Sequence, residues 1–184
     1  MVSRVIRRAR PDDTPALGDV MVESWLDAHR DHIPQAAWDK RVAEWTPEVS
    51  ARGWARVLSQ QAAEDSPRGL LLLAEEQGAP VALAYFGSAD DGPEELAELI
   101  TIYVLPVRRG HGIGTDLLRT GARDLVGRGV GSLRVEVLAA NLPARAFYAS
   151  RGAREVGAGT VDEEGTVLAT TVLEWSDLAL LLEG

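Results

Sequence analysis

The run Leu99-Ile100-Thr101-Ile102-Tyr103-Val104-Leu105-Pro106 leads through Arg109-Gly110-His111-Gly112-Ile113-Gly114 into Thr115-Asp116-Leu117-Leu118. An apolar strand, a glycine turn and a helix start, in that order, leave backbone N–H groups uncovered where the helix begins. Glycine lets the main chain approach closely, and a helix N-terminus adds roughly half a positive charge. Such a turn holds an anion, and with so few side chains in the way a diphosphate fits against it. The strand before it, about Glu98 to Leu105, is apolar on both faces and is expected to be central in a sheet.

On the N-terminal side, Val2 to Arg8 reads as a first or edge strand. Pro11-Asp12-Asp13-Thr14 offers turn and cap chemistry for a helix from about Pro15 to Ala28. Asp31 to Ser59 carries Trp38, Trp45 and Trp54 among charges, the pattern of one or two amphipathic helices broken near Thr46-Pro47. Gly69 to Glu75 and Pro80 to Gly87 form a predicted hairpin around Glu76-Gln77-Gly78-Ala79, followed by an acidic loop from Ser88 to Glu94. On the C-terminal side a helix is expected over Gly114 to Gly127, a strand over Leu133 to Leu138 and a short helix over Pro143 to Ser150. Val156 to Thr160 and Thr166 to Trp175 close the chain as a second hairpin. The strand–loop–helix–strand unit in the middle requires a parallel, right-handed crossover inside a sheet otherwise built from hairpins.

The chain has 184 residues, which suits a single domain (1–184), since that length buries roughly 70% of the unfolded surface. A net charge of −9 argues against general nucleic-acid binding, which needs a basic footprint, and favours the approach of cationic small molecules. The absence of cysteine removes disulfides, thiol nucleophiles and Cys-based metal sites. His29 and His32 with Asp27 and Asp31 lack a compact ligand set, so no metal is expected. The apolar runs are too short to span a bilayer, and Pro11-Asp12-Asp13 cuts off the basic N-terminus before any signal core, so no membrane partner and a cytoplasmic location are expected.

Spacing separates the glycine turn from two other phosphate loops. A nucleoside triphosphate loop needs Gly-Lys-Ser or Gly-Lys-Thr, whereas this chain has Ile113-Gly114-Thr115. A dinucleotide fingerprint needs a third glycine where Leu117 stands. Arg109-x-x-Gly112-x-Gly114 instead resembles the acyl-CoA pyrophosphate signature of the GNAT acetyltransferase superfamily. Ala97-Glu98-Leu99-x-x-Ile102-Tyr103-Val104-x-Pro106 is similar to that family's strand before the loop. Asn141-x-x-Ala144-x-x-Phe147-Tyr148-x-x-x-Gly152-Ala153 is similar to its next block. Glu23 to Pro34 resembles one bacterial branch of the superfamily, with His29 in place of the usual tyrosine.

The resemblance covers nearly the whole chain. It implies an α+β (α/β mixed) GNAT fold: a mixed, mostly antiparallel sheet of six to seven strands, a central parallel pair that splays, and helices on both faces. It also implies acetyl-CoA as acyl donor, without a metal, and direct transfer to an amine in a ternary complex. By the same resemblance Ile102, Tyr103, Val104, Arg109, Gly110, His111, Gly112, Ile113, Gly114, Thr115 and Asn141 contact the donor, the Val104 N–H polarising the thioester. Arg108 is a further candidate for the nucleotide phosphate. Trp25 and His29 lie in the segment that lines the acceptor pocket, which an aromatic wall would suit for a cationic amine.

An alkylamine resembling lysine has a pKa of about 10.4, so only about one in 10³ is nucleophilic at pH 7, and a base is useful. Glu98 is the candidate base, directly or through water, with Glu94 and Glu95 as fallbacks. The leaving thiolate needs a proton, and Tyr148 is the candidate acid, because a phenol with a pKa of about 10 stays protonated. The predicted function is N-acetylation of a primary amine, of a small molecule in the first instance. The alternative is a non-catalytic acyl-CoA-binding sensor or partner module, against which the presence of both Glu98 and Tyr148 argues. The resemblance leaves a homodimer open.

Overall fold

The computed structural model describes residues 3–63, 69–88 and 95–182. Glu94 and most of the expected acidic loop lie outside the described residues. Among the described residues, seven strands form one sheet in the order β1-β2-β3-β4-β5-β7-β6. They are β1 (Arg4–Arg8), β2 (Leu70–Glu76), β3 (Ala79–Ser88), β4 (Leu96–Val104), β5 (Ser132–Leu138), β6 (Arg154–Glu163) and β7 (Thr166–Trp175). The helices are α1 (Thr14–His29), α2 (Gln35–Glu44), α3 (Pro47–Ala63), α4 (Ile113–Val126) and α5 (Leu142–Ala149). A C-terminal 3₁₀ segment, Leu178–Leu182, buries Leu178 and Leu181 in the same core as α4; sequence patterning did not show it.

Local chemistry explains most boundaries. Pro47 opens α3, where its missing N–H costs nothing, and its ring holds Thr46 away from helical geometry, so the helical region breaks where expected. The β2–β3 hairpin is tighter than the four-residue connection expected: only Gln77 and Gly78 stand between the strands, both with positive φ (53° and 79°). That is the mirror-image turn whose twist matches antiparallel strands. Glu164 and Gly165 repeat it between β6 and β7.

The two faces of the sheet bury different things. Leu72, Ala84, Phe86, Leu99, Leu133 and Leu173 meet Leu117, Leu118 and Leu125 of α4 on one face. Leu71, Leu73 and Leu83 meet Leu17 and Val20 of α1 and Trp54 of α3 on the other. Gly121 of α4 is pressed against the fully buried Phe86: a Cβ there would lie 2.1 Å from its Cζ. Gly121→Ala is expected to lower the urea unfolding free energy by about 2 kcal/mol, because overpacking outweighs the roughly 1 kcal/mol gained in helix propensity. Unchanged stability would show that the α4–β3 contact is not that close.

β4 sits at the centre, antiparallel to β3 and parallel to β5. Its register with β3 shifts between Tyr85 and Phe86, leaving Ile100 as the extra residue opposite. A bulge bends a strand and raises its twist. The parallel ladder ends just before it, at the three pairs Leu96–Ser132, Ala97–Leu133 and Glu98–Arg134. Beyond Glu98 the two strands part into a wedge, the splay expected of the central pair. Among the described residues, no helix is long and apolar enough to cross a membrane.

Candidate active site

The wedge opens into a cleft of about 1020 Å³, large for a small-molecule site. β4, β5, α5, the glycine turn and the C-terminal part of α1 contribute its lining.

The wall of β4 presents main-chain groups to the cleft. Leu105 N–H donates to Val81 O on β3 at 2.9 Å. Successive strand residues alternate between the two edges, so Val104 directs its N–H and C=O the other way, into the wedge. Its carbonyl accepts from Arg109 Nε at 3.1 Å, as that direction requires. An amide there, on a strand edge without a neighbouring strand, is a fixed donor for developing negative charge.

The glycine turn owes its shape to Gly110 and Gly112, whose φ values of 78° and 81° are in the left-handed region. The first bond of α4 runs from Asp116 N–H to Gly112 O at 3.0 Å, so the amides ahead of it have no partner in the helix. Gly114 serves close approach instead: a Cβ there would stand 3.3 Å from Phe147 Cζ. Three arginines brace the turn. Arg4 donates to Glu76 (2.9 Å), Asp116 (2.5 Å) and His111 O (2.9 Å) from behind. Arg109 pairs with Asp27 and donates to Ser24 O (3.2 Å), tying the turn to α1. Arg151 donates to Thr115 Oγ1 at 2.9 and 2.7 Å and lies 3.9 Å over the Phe147 ring. These side chains hold the backbone in place and leave its amides for a ligand. The turn therefore fits a diphosphate group through main-chain donors.

At the α5 side, Asn141 Oδ1 caps the helix by accepting from Ala144 N–H at 3.1 Å. Tyr148 is 7% exposed, edge-on to Phe147 and Trp175 with centroids 5.3 and 5.9 Å away. Burial pushes its phenol well above the ordinary value near 10, so it stays protonated. Tyr103 is raised in the same way.

At the α1 end, Trp25 is the face of an aromatic cluster. His29 stacks on it at 4.5 Å, Trp45 meets it edge-on at 5.3 Å, and Trp38 lies behind at 6.3 Å. Trp54 packs against Tyr85 in the separate α1–α3 core. Arg41 of α2 lies over Trp25 and Trp45 and pairs with Glu163 (2.6 Å) and Glu164 (3.4 Å) at the β6–β7 tip. Lys40 adds a bond to Glu164 at 2.7 Å. The hairpin is thereby clamped to α2 beside the cleft.

The structure thus brings together on one cleft Trp25, His29, Ile102, Tyr103, Val104, the turn, Asn141 and Tyr148. It does not bring Glu98 to the lining: that residue is on the last paired rung, in register with Arg134 and Gly87, at the closed end of the wedge. His111 also stays outside, its Nδ1 2.9 Å from Arg109 O, facing a second groove with Arg108, Arg119 and Arg123. Arg108 borders both spaces. Sequence reading missed Glu136, Glu163 and Arg151, which line the cleft. Period-two patterning offered a signal for Glu136, since it alternates with the buried Leu133 and Val135 along β5. Nothing local marked Glu163 or Arg151, which reach the cleft through tertiary packing.

Residues 21–153 match the family model described as Acetyltransferase (GNAT) family. The uncharacterized N-acetyltransferase YuaI of Bacillus subtilis (strain 168) is 27% identical over 180 residues, covering 96% of this chain and 95% of that protein. Among solved structures, the PaiA N-acetyltransferase of Thermoplasma acidophilum, in complex with coenzyme A, superposes with a TM-score of 0.74 at 19% identity, covering 94% of this chain and 98% of that one. The protein yncA of Salmonella typhimurium, solved with acetyl-CoA, gives 0.66 at 20% identity, covering 95% and 94%. With that family match spanning most of the sheet, the glycine turn and Tyr148, the chain belongs to the acetyltransferase (GNAT) family.

Proposed function

We propose that this acyltransferase is a single-domain, acetyl-CoA-dependent N-acetyltransferase that acetylates a primary amine of a small molecule by direct transfer in a ternary complex. The observation that carries this reading is the wedge between β4 and β5, with the Val104 N–H directed into it and the glycine turn and Tyr148 in its lining. Acetyl-CoA in the yncA structure and coenzyme A in the PaiA structure support the choice of donor.

The amine nitrogen attacks the thioester carbon, and the carbonyl electron pair moves onto oxygen, where the Val104 N–H stabilises it. The carbon–sulfur bond breaks, the sulfur takes the Tyr148 phenolic proton, and the nitrogen gives up one proton. The products are an amide and a thiol. Trp25, His29 and Tyr103 supply an aromatic wall, and Asp31 and Glu136 supply negative charge, which together suit a cationic amine. Glu98, at the closed end, acts through water in this reading and takes the ammonium proton that must leave before the nitrogen can attack. Glu98→Gln is therefore expected to lower turnover by less than about tenfold, below the 10²–10⁴ of a direct base.

The test is thiol release from acetyl-CoA with n-butylamine, 2-phenylethylamine, 1,4-diaminobutane, glucosamine and lysine amide. Turnover with at least one of them is expected. Tight coenzyme A binding without turnover on any amine would overturn the reading in favour of a binding module.

A further inference from the structure

Two imidazoles, His29 and His32, line the cleft without a proton-transfer task in the steps above. His29 ends α1, and its Nδ1 lies 2.9 Å from the carbonyl oxygen of Trp25, one helical turn earlier. A carbonyl oxygen can only accept, so Nδ1 carries the proton, and in the neutral ring Nε2 presents a lone pair. The stack on Trp25, with ring planes 14° apart, fixes the orientation of the imidazole. Its other neighbour is Tyr103 of β4, at 6.1 Å between centroids, next in sequence to Val104. The base is thus placed along the wall that also bears the thioester-facing amide.

Several other titratable groups of the cleft are committed, while Asp31 and His32 line it just beyond the end of α1. Asp27 is paired with Arg109, Glu163 with Arg41, and Glu136 accepts from the Thr170 hydroxyl. Glu98 is not on the lining.

Resting on the acetyl-transfer reading, we propose that His29 is the catalytic proton acceptor for the incoming amine. Once the carbon–nitrogen bond has formed, the adduct nitrogen carries a positive charge and an acidic proton. Nε2 takes that proton as the carbon–sulfur bond breaks and the sulfur takes the proton of Tyr148. The imidazolium and the phenolate then exchange with solvent, and the balance is one amide and one thiol from one amine and one thioester.

Burial first, and then the cations around it, keep the ring neutral. His32 acts on it from the turn after α1, Arg41 from α2 and Arg109 from the glycine turn, Tyr103 of β4 lies beside it, and Asp27, Asp31 and Glu163 line the same cleft. Burial lowers the imidazole below its ordinary value of 6.5, the positive neighbours His32, Arg109 and Arg41 act in the same direction, and the Trp25 carbonyl opposes them. At neutral pH Nε2 is therefore available to accept, and availability falls only as pH drops through that lowered value.

Two measurements on the full chain test this, and the first does not depend on acetyl transfer. Nitrogen-15 NMR of the three histidines, with His29 assigned by its disappearance in His29→Gln, reports tautomer and titration. A ring protonated at Nδ1 and titrating below 6.5 is expected; a neutral ring protonated at Nε2 overturns the proposal. The second measurement is thiol release from acetyl-CoA with the fastest of the five amines. His29→Gln is expected to lower kcat by at least about 100-fold, leave the acetyl-CoA KM within about twofold, and abolish the acid limb of the pH profile. In the unaltered protein that limb is expected to coincide with the His29 titration. A loss under tenfold, an acid limb that persists in the variant, or full activity in His29→Phe, which keeps the stack without the base, overturns the proposal. If no amine is acetylated, the reading of the function fails, while the NMR measurement still decides the state of His29.

Discussion

Replacing Tyr148 with Phe is expected to lower kcat by about 10²–10³-fold while leaving the acetyl-CoA KM within about twofold, as for a general acid that acts only in the transition state. The phenyl ring fits the same space, because Tyr148 is held edge-on by Phe147 and Trp175 and is almost fully buried. Only the hydroxyl is removed. The leaving thiolate resembles cysteine, with a pKa of about 8.5, so a phenol raised above its usual 10 gives up its proton only as charge develops on sulfur. The raised value also sets the sign of the pH response: the acid form persists through neutral and mildly alkaline solution, so Tyr148 imposes no alkaline decline below about pH 10. Steady-state kinetics on the variant checks both statements. A loss below fivefold would remove Tyr148 from the proton path and leave solvent as the donor.

Gly112→Val is expected to weaken coenzyme A binding by about 10- to 100-fold, read by calorimetric titration. A β-branched residue at φ 81° is a steric outlier, and holding it there costs about 1–3 kcal/mol, where 1.4 kcal/mol is a factor of ten in affinity. The turn relieves that strain by changing its backbone, which re-aims the amides ahead of Asp116. His111→Ala is the control: its ring faces Arg109 O and the outer groove, so affinity is expected to stay within about twofold. Equal affinities for Gly112→Val and the unaltered chain would show that the diphosphate does not rest on these amides.

Elements with strong local signals were legible in the sequence. Pro47 marked the break between α2 and α3, and the Gln77-Gly78 and Glu164-Gly165 pairs stood where hairpins were expected. The β2–β3 connection came out shorter than read, because strand propensity at Glu76 and Ala79 was outweighed by the pairing those residues gain in the ladder. The position of the glycine turn was readable because its shape depends on residues close together in the chain. No local pattern relates the candidate base Glu98 to His29, 69 positions away.

The order of strands and helices, the glycine turn and the family kinship were determined by the chain itself, since capping, φ preference and hydrophobic period act over a few residues. Tertiary structure alone decided where the sheet opens. The bulge at Ile100 comes two residues after the last β4–β5 pair, and that long-range pairing turns Val104 towards the cleft while holding Glu98 at its closed end. It also brought Trp25, His29 and Tyr103 together, and the resulting loss of solvent lowers the His29 imidazole and raises the Tyr103 phenol.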